Sequence, residues 1–160
     1  MHEHSLKTTF RVYDAADELP PADQVLLAQA QEARASSYSP YSHFRVGAAV
    51  LLANGEILGS SNYENASYPM CICAEQSVLA AASSHFPGVP VLAIAVTVQN
   101  PKHKIDQPAA PCGACRQVIY ETEQKNRQTI RVLMQGETGP VYVFEKGRDL
   151  LPLAFGGNFL

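Results

Sequence analysis

The chain has no cluster of basic residues and no long apolar run. Its formal net charge is -3 and no run of Lys or Arg occurs, so the positive surface that binds polynucleotide phosphates is missing. The longest apolar stretches, such as residues 89–98, fall short of the roughly 20 residues that cross a bilayer. The first residues, Met-His-Glu-His, lack the apolar core of a secretory signal. We therefore expect a cytoplasmic protein that acts on a small molecule, with no polynucleotide and no membrane partner.

Internal repeats, low-complexity tracts and linkers are also missing from the 160 residues. With 46% hydrophobic and 17% charged residues, the chain has enough apolar material for one packed domain of ordinary size and too much for intrinsic disorder. We predict an N-terminal extension over residues 1–20, followed by a single domain over residues 21–160.

Helices and strands alternate along that domain. A proline pair at residues 20–21 precedes apolar residues at helical spacing, which predicts a first helix, and Asn54-Gly55 between two strand-like segments favours a type I′ hairpin. The other predicted helices are 74–84 and 113–124, and the predicted strands are 44–53, 56–62, 91–98, 130–135 and 141–145, with a short strand possible at 8–13. This order predicts an α/β fold, a three-layer α-β-α sandwich around one mixed five-stranded sheet.

The four cysteines form two tight groups, which in a reducing compartment indicates metal ligation. Cys112 and Cys115 lie one helical turn apart at a predicted helix start, where the helix dipole and free N–H groups lower thiol pKa values. Cys73 lies at the start of another predicted helix and could supply a third sulfur. Three protein ligands leave Zn²⁺ one open position, as catalytic zinc sites require. Glu75 could reach a water molecule there without being a ligand.

A structural zinc site with Cys71 as a fourth ligand is the alternative. The Cys71-Ile72-Cys73 spacing is unusual for a structural pair, and such a site has no need of Glu75 or Pro111. We expect Cys71 to be a small buried core residue, as free cysteines often are.

The pattern Cys-x-Glu at residues 73–75 followed by Pro-Cys-x-x-Cys at residues 111–115 is a signature of zinc deaminases, in which the glutamate transfers protons. Residues 38–49 (YSPYSHFRVGAA) and 62–69 (NYENASYP) look like two further signatures of the cytidine deaminase family. From about residue 36 to residue 155 the chain resembles the small homotetrameric class with an all-cysteine zinc site. The resemblance implies hydrolytic deamination of cytidine and deoxycytidine to uridine and deoxyuridine, with release of ammonia, in pyrimidine salvage.

The same resemblance implies the substrate contacts. Phe44 would stack on the pyrimidine, and Asn62 and Glu64 would hydrogen-bond a ribose hydroxyl. The backbone of Ala74, together with Glu75, would read the edge of the base. From the sequence alone Phe44 is equally a core aromatic residue, so the motif decides this assignment.

Two aromatic residues are implied at a neighbouring subunit's site. In the family a C-terminal aromatic residue closes the site of a neighbouring subunit, and Phe155 occupies that place here. Tyr68 could act in the same way. We therefore expect a homotetramer, with a homodimer as the alternative.

Gln76 departs from the resemblance, because the all-cysteine class usually has Arg after the catalytic glutamate. Three thiolates around Zn²⁺ leave excess negative charge, and Gln can donate hydrogen bonds to sulfur from the zinc second shell without adding positive charge. We expect a more basic bound water or a substitute cation, for which Arg116 is the nearest candidate.

Other functions remain open at this stage. A related deaminase could act on another aminopyrimidine or purine, such as blasticidin S or guanine. A non-catalytic zinc scaffold and a polynucleotide-editing deaminase are further alternatives. The ribose-binding segment argues against the first, Glu75 against the second and the missing basic surface against the third.

Overall fold

One mixed sheet with helices on both faces forms the protein. The computed structural model describes residues 1–160, apart from the side chain of Asn158. Its helices are α1 (Pro21–Ala33), α2 (Ala74–His85) and α3 (Gly113–Asn126). Its strands are β1 (Arg11–Tyr13), β2 (Arg45–Leu52), β3 (Ile57–Ser61), β4 (Val91–Gln99), β5 (Arg131–Gln135) and β6 (Val141–Phe144). The sheet order is β1-β6-β5-β4-β2-β3. Strands β4 and β5 run parallel, and the other neighbouring pairs run antiparallel.

The predicted three layers are confirmed. Helix α1 buries Leu26, Leu27 and Ala30 against one face of the sheet. Helices α2 and α3 bury Val78 and Ile119, among others, against the opposite face. Because β4 is central and covered on both sides, its side chains are almost all buried, and this explains its nearly continuous apolar sequence.

The helix boundaries follow local chemistry. Helix α1 begins at Pro21, where a missing N–H costs no intrahelical hydrogen bond. Helix α3 ends at Arg127, whose left-handed φ of 50° turns the chain out of the helix. None of the described helices has the length and apolar character that a membrane span needs.

The predicted count of five strands is wrong by one. Residues 11–13 form an edge strand that pairs antiparallel with β6, with Arg11 opposite Val143. Just before this strand, the Phe10 ring stacks on the Phe144 ring at a centroid distance of 5.0 Å. The short strand considered possible at residues 8–13 forms over residues 11–13, but its membership of the sheet depends on a distant partner, β6, which no local pattern indicates.

The predicted type I′ turn is also wrong. That turn needs positive φ at both central residues, but only Gly55 of the pair has a positive φ, 89°. The Asn54 side chain accepts a hydrogen bond from the Glu56 N–H at 3.1 Å. This interaction gives Asn54 an alternative to the left-handed conformation. On its other side, the register of β2 against β4 shifts between Leu51 and Leu52.

Helix α1 crosses β2 and β3 at two glycines. A Cβ atom on Gly47 would lie 2.0 Å from the Ala30 carbonyl oxygen, whereas one on Gly59 would lie 3.3 Å from the Ala33 Cβ atom. Beyond the end of α1, Arg34 Nη1 donates to the Val98 carbonyl at 2.8 Å. Because Gly47 has no Cβ atom, α1 can approach the sheet closely near the start of β2.

Candidate metal centre and substrate cavity

Three cysteine sulfurs meet between the N-termini of α2 and α3. Cys73 is the N-cap of α2, Cys112 is the N-cap of α3, and Cys115 lies in the first turn of α3. Their sulfur atoms all lie within 4.8 Å of one another. The Cys112 sulfur is 3.9 Å from that of Cys73 and 3.3 Å from that of Cys115. The predicted group of three sulfurs is therefore formed by the fold.

This group fits a zinc ion. Tetrahedral Zn–S bonds of about 2.3 Å separate neighbouring sulfurs by roughly 3.8 Å, close to the distances between these cysteines. Both helix N-termini direct the positive ends of their dipoles towards the sulfurs, which stabilises thiolates. Because the group offers three sulfurs, an ion held there would keep a fourth position for a reacting molecule.

The thiols of Cys73 and Cys115 have shifted pKa values of opposite direction. The pKa of Cys73 is lowered to about 7, chiefly because the Cys115 thiol donates a hydrogen bond to its thiolate. The pKa of Cys115 is raised, because that thiol donates the bond, is buried and faces the Glu75 carboxylate. The helix dipole alone therefore does not ionise Cys115, and a bound cation would have to displace its proton. Cys73 is the first of these two thiols to ionise.

Glu75 lies in the first turn of α2 and is only 4% exposed. Burial raises the pKa of its carboxyl group, although its own backbone N–H and the Cys115 thiol oppose this shift. A carboxyl group with a raised pKa beside a metal-binding group is suited to accept a proton and to donate it again.

A cavity of about 290 Å³ opens beside the sulfurs. It brings together most of the residues predicted at the site, namely Phe44, Asn62, Glu64, Cys73, Glu75 and Cys112. Val96, Val98, Ala109 and Ala110 contribute apolar wall. This mixture of apolar walls and a few polar groups is typical of small-molecule sites. A larger groove of about 350 Å³ lies between α2 and α3, but it is lined away from the three sulfurs, so we assign the chemistry to the smaller cavity.

Asn62 is held by the chain around it. Its side-chain oxygen accepts from the Val46 N–H at 2.8 Å and from the Ser37 hydroxyl at 2.6 Å. Its amide nitrogen donates one hydrogen to the Phe44 carbonyl at 2.9 Å. An amide has two such hydrogens, so one N–H of Asn62 is left for a ligand.

Glu64 is held in a similar way. One carboxylate oxygen accepts from the Tyr41 N–H at 2.9 Å and from the Ser42 N–H at 3.3 Å, and the other accepts from the Ser42 hydroxyl. Desolvation acts to raise the pKa of Glu64, but these hydrogen bonds outweigh it and lower the pKa. The carboxylate is therefore charged at neutral pH and keeps one further acceptor position.

The remaining predicted substrate residues lie outside the cavity wall. Ala74 is fully buried at the start of α2. Tyr68 is 71% exposed and borders a shallow pocket that it shares with Glu64. Phe155 is 59% exposed, its ring stacks on Phe159, and its carbonyl accepts from Gln117 at 2.9 Å. The chain does not bring Tyr68 or Phe155 into its own cavity.

The side chains of Gln76 and Arg116 lie in different environments. Gln76 lines the larger groove between α2 and α3. Arg116 donates from Nε to the Pro111 carbonyl at 2.8 Å and from Nη1 to the Leu150 carbonyl at 3.0 Å. The compensation of thiolate charge by either residue stays a prediction.

The expectation that Cys71 is a buried core residue is wrong. Cys71 is exposed because it follows a short helical turn at Tyr68–Met70 on the surface, and it lines the mouth of the cavity. Its sulfur accepts from the Asn65 N–H at 3.3 Å. The metal-binding group found among the described residues comprises the other three cysteines, which disfavours a four-cysteine structural site.

Sequence reasoning missed the residues that support the predicted contacts. Ser37, Tyr41 and Ser42 hold Asn62 and Glu64, but serines and tyrosines in a loop carry no distinctive spacing. Ser42 lies two residues before Phe44 within a recognised signature, and this was the one available signal.

Fold and site together define a zinc-dependent deaminase, with three thiols at two helix N-termini and a buried glutamate beside them. The family model for the cytidine and deoxycytidylate deaminase zinc-binding region matches residues 20–130. The chain belongs to the cytidine deaminase family, and its cofactor is Zn²⁺.

Known proteins resemble the chain over most of its length. It is 39% identical over 132 residues to the cytidine deaminase of Halalkalibacterium halodurans, covering 82% of this chain and 92% of the relative. It is 38% identical over 139 residues to that of Mycobacterium tuberculosis, covering 86% and 93%. The crystal structure of the Burkholderia pseudomallei cytidine deaminase matches with a TM-score of 0.71 and 41% identity, covering 82% of this chain and 97% of the other.

Proposed function

We propose that the protein hydrolyses cytidine and deoxycytidine to uridine and deoxyuridine, with water as co-substrate and ammonia as second product. The observation that carries this proposal is the buried Glu75 beside the three sulfurs, at the end of a cavity that also holds Phe44 and a pair of polar residues, Asn62 and Glu64. The resemblance to cytidine deaminases from three bacteria supports the same reaction.

Cys73, Cys112 and Cys115 hold the cofactor in this proposal. Zn²⁺, when bound, supplies Lewis-acid activation of a water molecule at its open position. The Glu75 carboxylate would accept a proton from the attacking water, deliver it to the ring nitrogen of the base and later assist protonation of the leaving amine. The raised pKa of its carboxyl group brings its proton affinity closer to that of the groups between which it transfers protons.

The base occupies the apolar part of the cavity. Phe44 stacks on the uncharged pyrimidine ring, for which an aromatic face is a suitable partner. The Ala74 backbone and Glu75 read the polar edge of the base. Val96 and Val98 exclude water from the same space, and this strengthens the electrostatic interactions of the carboxyl group.

The sugar is recognised by the hydrogen-bonding groups of Asn62 and Glu64 that remain available to a ligand. Asn62 retains one N–H donor, and Glu64 retains one acceptor position. One donor and one acceptor match a single hydroxyl group, which both accepts and donates. Cytidine and deoxycytidine share the 3′-hydroxyl, so this pair supports turnover of both.

Neighbouring subunits complete the site in this proposal. Tyr68 and Phe155 are exposed and lie outside the cavity of their own chain, which suits contacts to a second copy. We expect a homotetramer, or a homodimer, of a deaminase domain at residues 21–160 that carries the extension 1–20. Light scattering of the purified protein measures this, and a monomer that is fully active would contradict it.

Gln76 lines the groove between α2 and α3, and its amide is proposed to turn towards the zinc site and donate a hydrogen bond to a thiolate, with Arg116 as the candidate cation. Replacing Gln76 with arginine adds positive charge and should lower the pKa of the acidic limb of the kcat profile. An unmoved acidic limb would contradict this role.

The decisive experiment compares zinc-loaded wild type with Glu75→Ala. We expect wild type to consume cytidine, followed by loss of cytosine absorbance and release of ammonia. Glu75→Ala should lower kcat by about 10²–10⁴-fold because it removes the proton carrier. Glu121→Ala, at an exposed position on α3, is the matched control and should retain activity.

Zinc content must be measured in every variant, so that loss of metal is not mistaken for loss of proton transfer. If wild type with a full complement of zinc leaves cytidine and deoxycytidine unchanged, the proposed function is wrong. Blasticidin S and guanine are then the next substrates to assay.

A further inference from the structure

A tight turn over residues 39–44 links the two sides of the cavity. The His43 N–H donates to the Ser39 carbonyl at 3.0 Å, which closes the turn. His43 has a φ of 59°, a left-handed conformation that residues with side chains seldom adopt. The turn brings Ser42 under the Glu64 carboxylate.

Ser42 binds both oxygens of that carboxylate. Its backbone N–H donates to one oxygen at 3.3 Å, and its hydroxyl donates to the other. A carboxylate held at both oxygens cannot rotate freely, so the direction of its remaining acceptor position is fixed. The Ser42 side chain is itself exposed, which leaves little packing role for it.

The same hydroxyl also reaches the residue proposed to stack on the base. The Ser42 oxygen accepts from the Phe44 N–H at 2.9 Å, and the Phe44 carbonyl accepts from Asn62 at 2.9 Å. A hydroxyl that donates to a charged acceptor becomes a better acceptor in turn. The chain of hydrogen bonds therefore runs Glu64, Ser42, Phe44, Asn62.

We propose that Ser42 is a positioning residue that fixes the Glu64 carboxylate for the sugar hydroxyl and couples it to the backbone of Phe44. This inference rests on the proposed function, because it takes a nucleoside as the ligand. Ser42 contacts substrate only through Glu64 and Phe44. The Ser42 hydroxyl preorganises the sugar site before substrate binds. Its removal should therefore weaken recognition of the sugar hydroxyl more than it slows the chemical step.

The test is a cycle of two enzymes and two substrates, wild type and Ser42→Ala with cytidine and 3′-deoxycytidine. We expect Ser42→Ala to lower kcat/KM for cytidine by about 10–30-fold, mainly through KM. For 3′-deoxycytidine, which lacks the hydroxyl that Glu64 would bind, the loss should be only about two- to threefold. Zinc content and melting temperature are measured alongside to separate these effects from unfolding.

Two further variants complete the test. Ser42→Thr keeps the hydroxyl at an exposed position and should restore kcat/KM for cytidine to within about threefold of wild type. Ser84→Ala, at an exposed position near the end of α2, is the matched control and should leave both substrates unaffected.

Equal losses of kcat/KM on both substrates would show a merely structural role and overturn the inference. A kcat/KM for cytidine that Ser42→Ala leaves unchanged would overturn it too. A wild type that ignores cytidine would refute the proposed function first and this inference with it. The two failures can be told apart, because wild type lacks activity on cytidine only if the proposed function is wrong.

Discussion

Replacing Gly47 with alanine should destabilise the protein far more than the same change at Gly59. Both glycines lie under α1, on the neighbouring strands β2 and β3. Neither has the positive φ that would strain an alanine, so only the available space differs. The two variants therefore form a matched pair, with Gly59→Ala as the control.

The size of the effect follows from the contacts. A Cβ atom on Gly47 would lie 2.0 Å from the Ala30 carbonyl oxygen, whereas real Cβ atoms stay beyond 3.0 Å. The end of α1 must therefore retreat by about 1 Å, which puts the hydrogen bond from Arg34 to the Val98 carbonyl at risk. Overpacking costs about 1–3 kcal/mol or more, and the hydrogen bond adds about 1 kcal/mol. We expect a loss of about 3 kcal/mol in the free energy of unfolding.

In Gly59→Ala the tightest contact of the new Cβ atom is with the Ala33 Cβ atom, at 3.3 Å, and the next contacts lie at ordinary distances of 3.6 and 3.9 Å. A shift of a few tenths of an ångström relieves that contact, and the lower entropy of the unfolded chain offsets part of its cost by about 0.4–1 kcal/mol. The change should stay within about 1 kcal/mol of wild type.

Urea unfolding followed by far-ultraviolet circular dichroism measures both variants, since the chain has no tryptophan to serve as a fluorescent probe. Protein and zinc concentrations must be equal in all samples, because assembly and metal binding shift apparent stability. If Gly47→Ala falls within about 1 kcal/mol of Gly59→Ala, the close approach of α1 does not control stability and the reasoning is wrong.

Two further predictions concern the metal centre. Burial raises the pKa of Glu75, so protonation of its carboxyl group favours folding at low pH, and this contribution is lost as pH rises through the folded-state pKa. In protein freed of metal by a chelator, Glu75→Gln should therefore have a higher melting temperature than wild type at pH 8. The difference in melting temperature should narrow towards pH 5. A constant gap would contradict this sign. Cys112→Ser should lower zinc content well below one ion per chain and abolish turnover, while Cys71→Ser should retain zinc, and metal analysis that finds equal zinc in both variants would refute the ligand assignment.

Local patterns predicted the parts of the fold that local chemistry decides. The apolar run of β4 and the proline at the start of α1 identified a central strand and a helix within a residue or two. Cys73 and Cys112 were predicted at helix starts, and both are N-caps. Where spacing along one element determines the geometry, the sequence was sufficient.

The failures depend on contacts between segments that are distant in the chain. The count of five strands was wrong because β1 joins the sheet through a partner about 130 residues away. The exposure of Cys71 depends on how the loop after β3 folds beside the cavity. Ser42 was missed because its importance comes from Glu64, 22 residues away. In each case the residue type allows several environments, and only the assembled fold selects one.

The pairing of β1 with β6 has a consequence for how the chain folds during synthesis. Arg11 leaves the ribosome before its partner Val143, which follows about 130 positions later. At roughly 5–20 residues per second, the N-terminal segment waits on the order of ten seconds for that partner. The sheet can assemble from β2 to β5 before this edge is closed, so β1 can join the sheet only after strands that are made later than it.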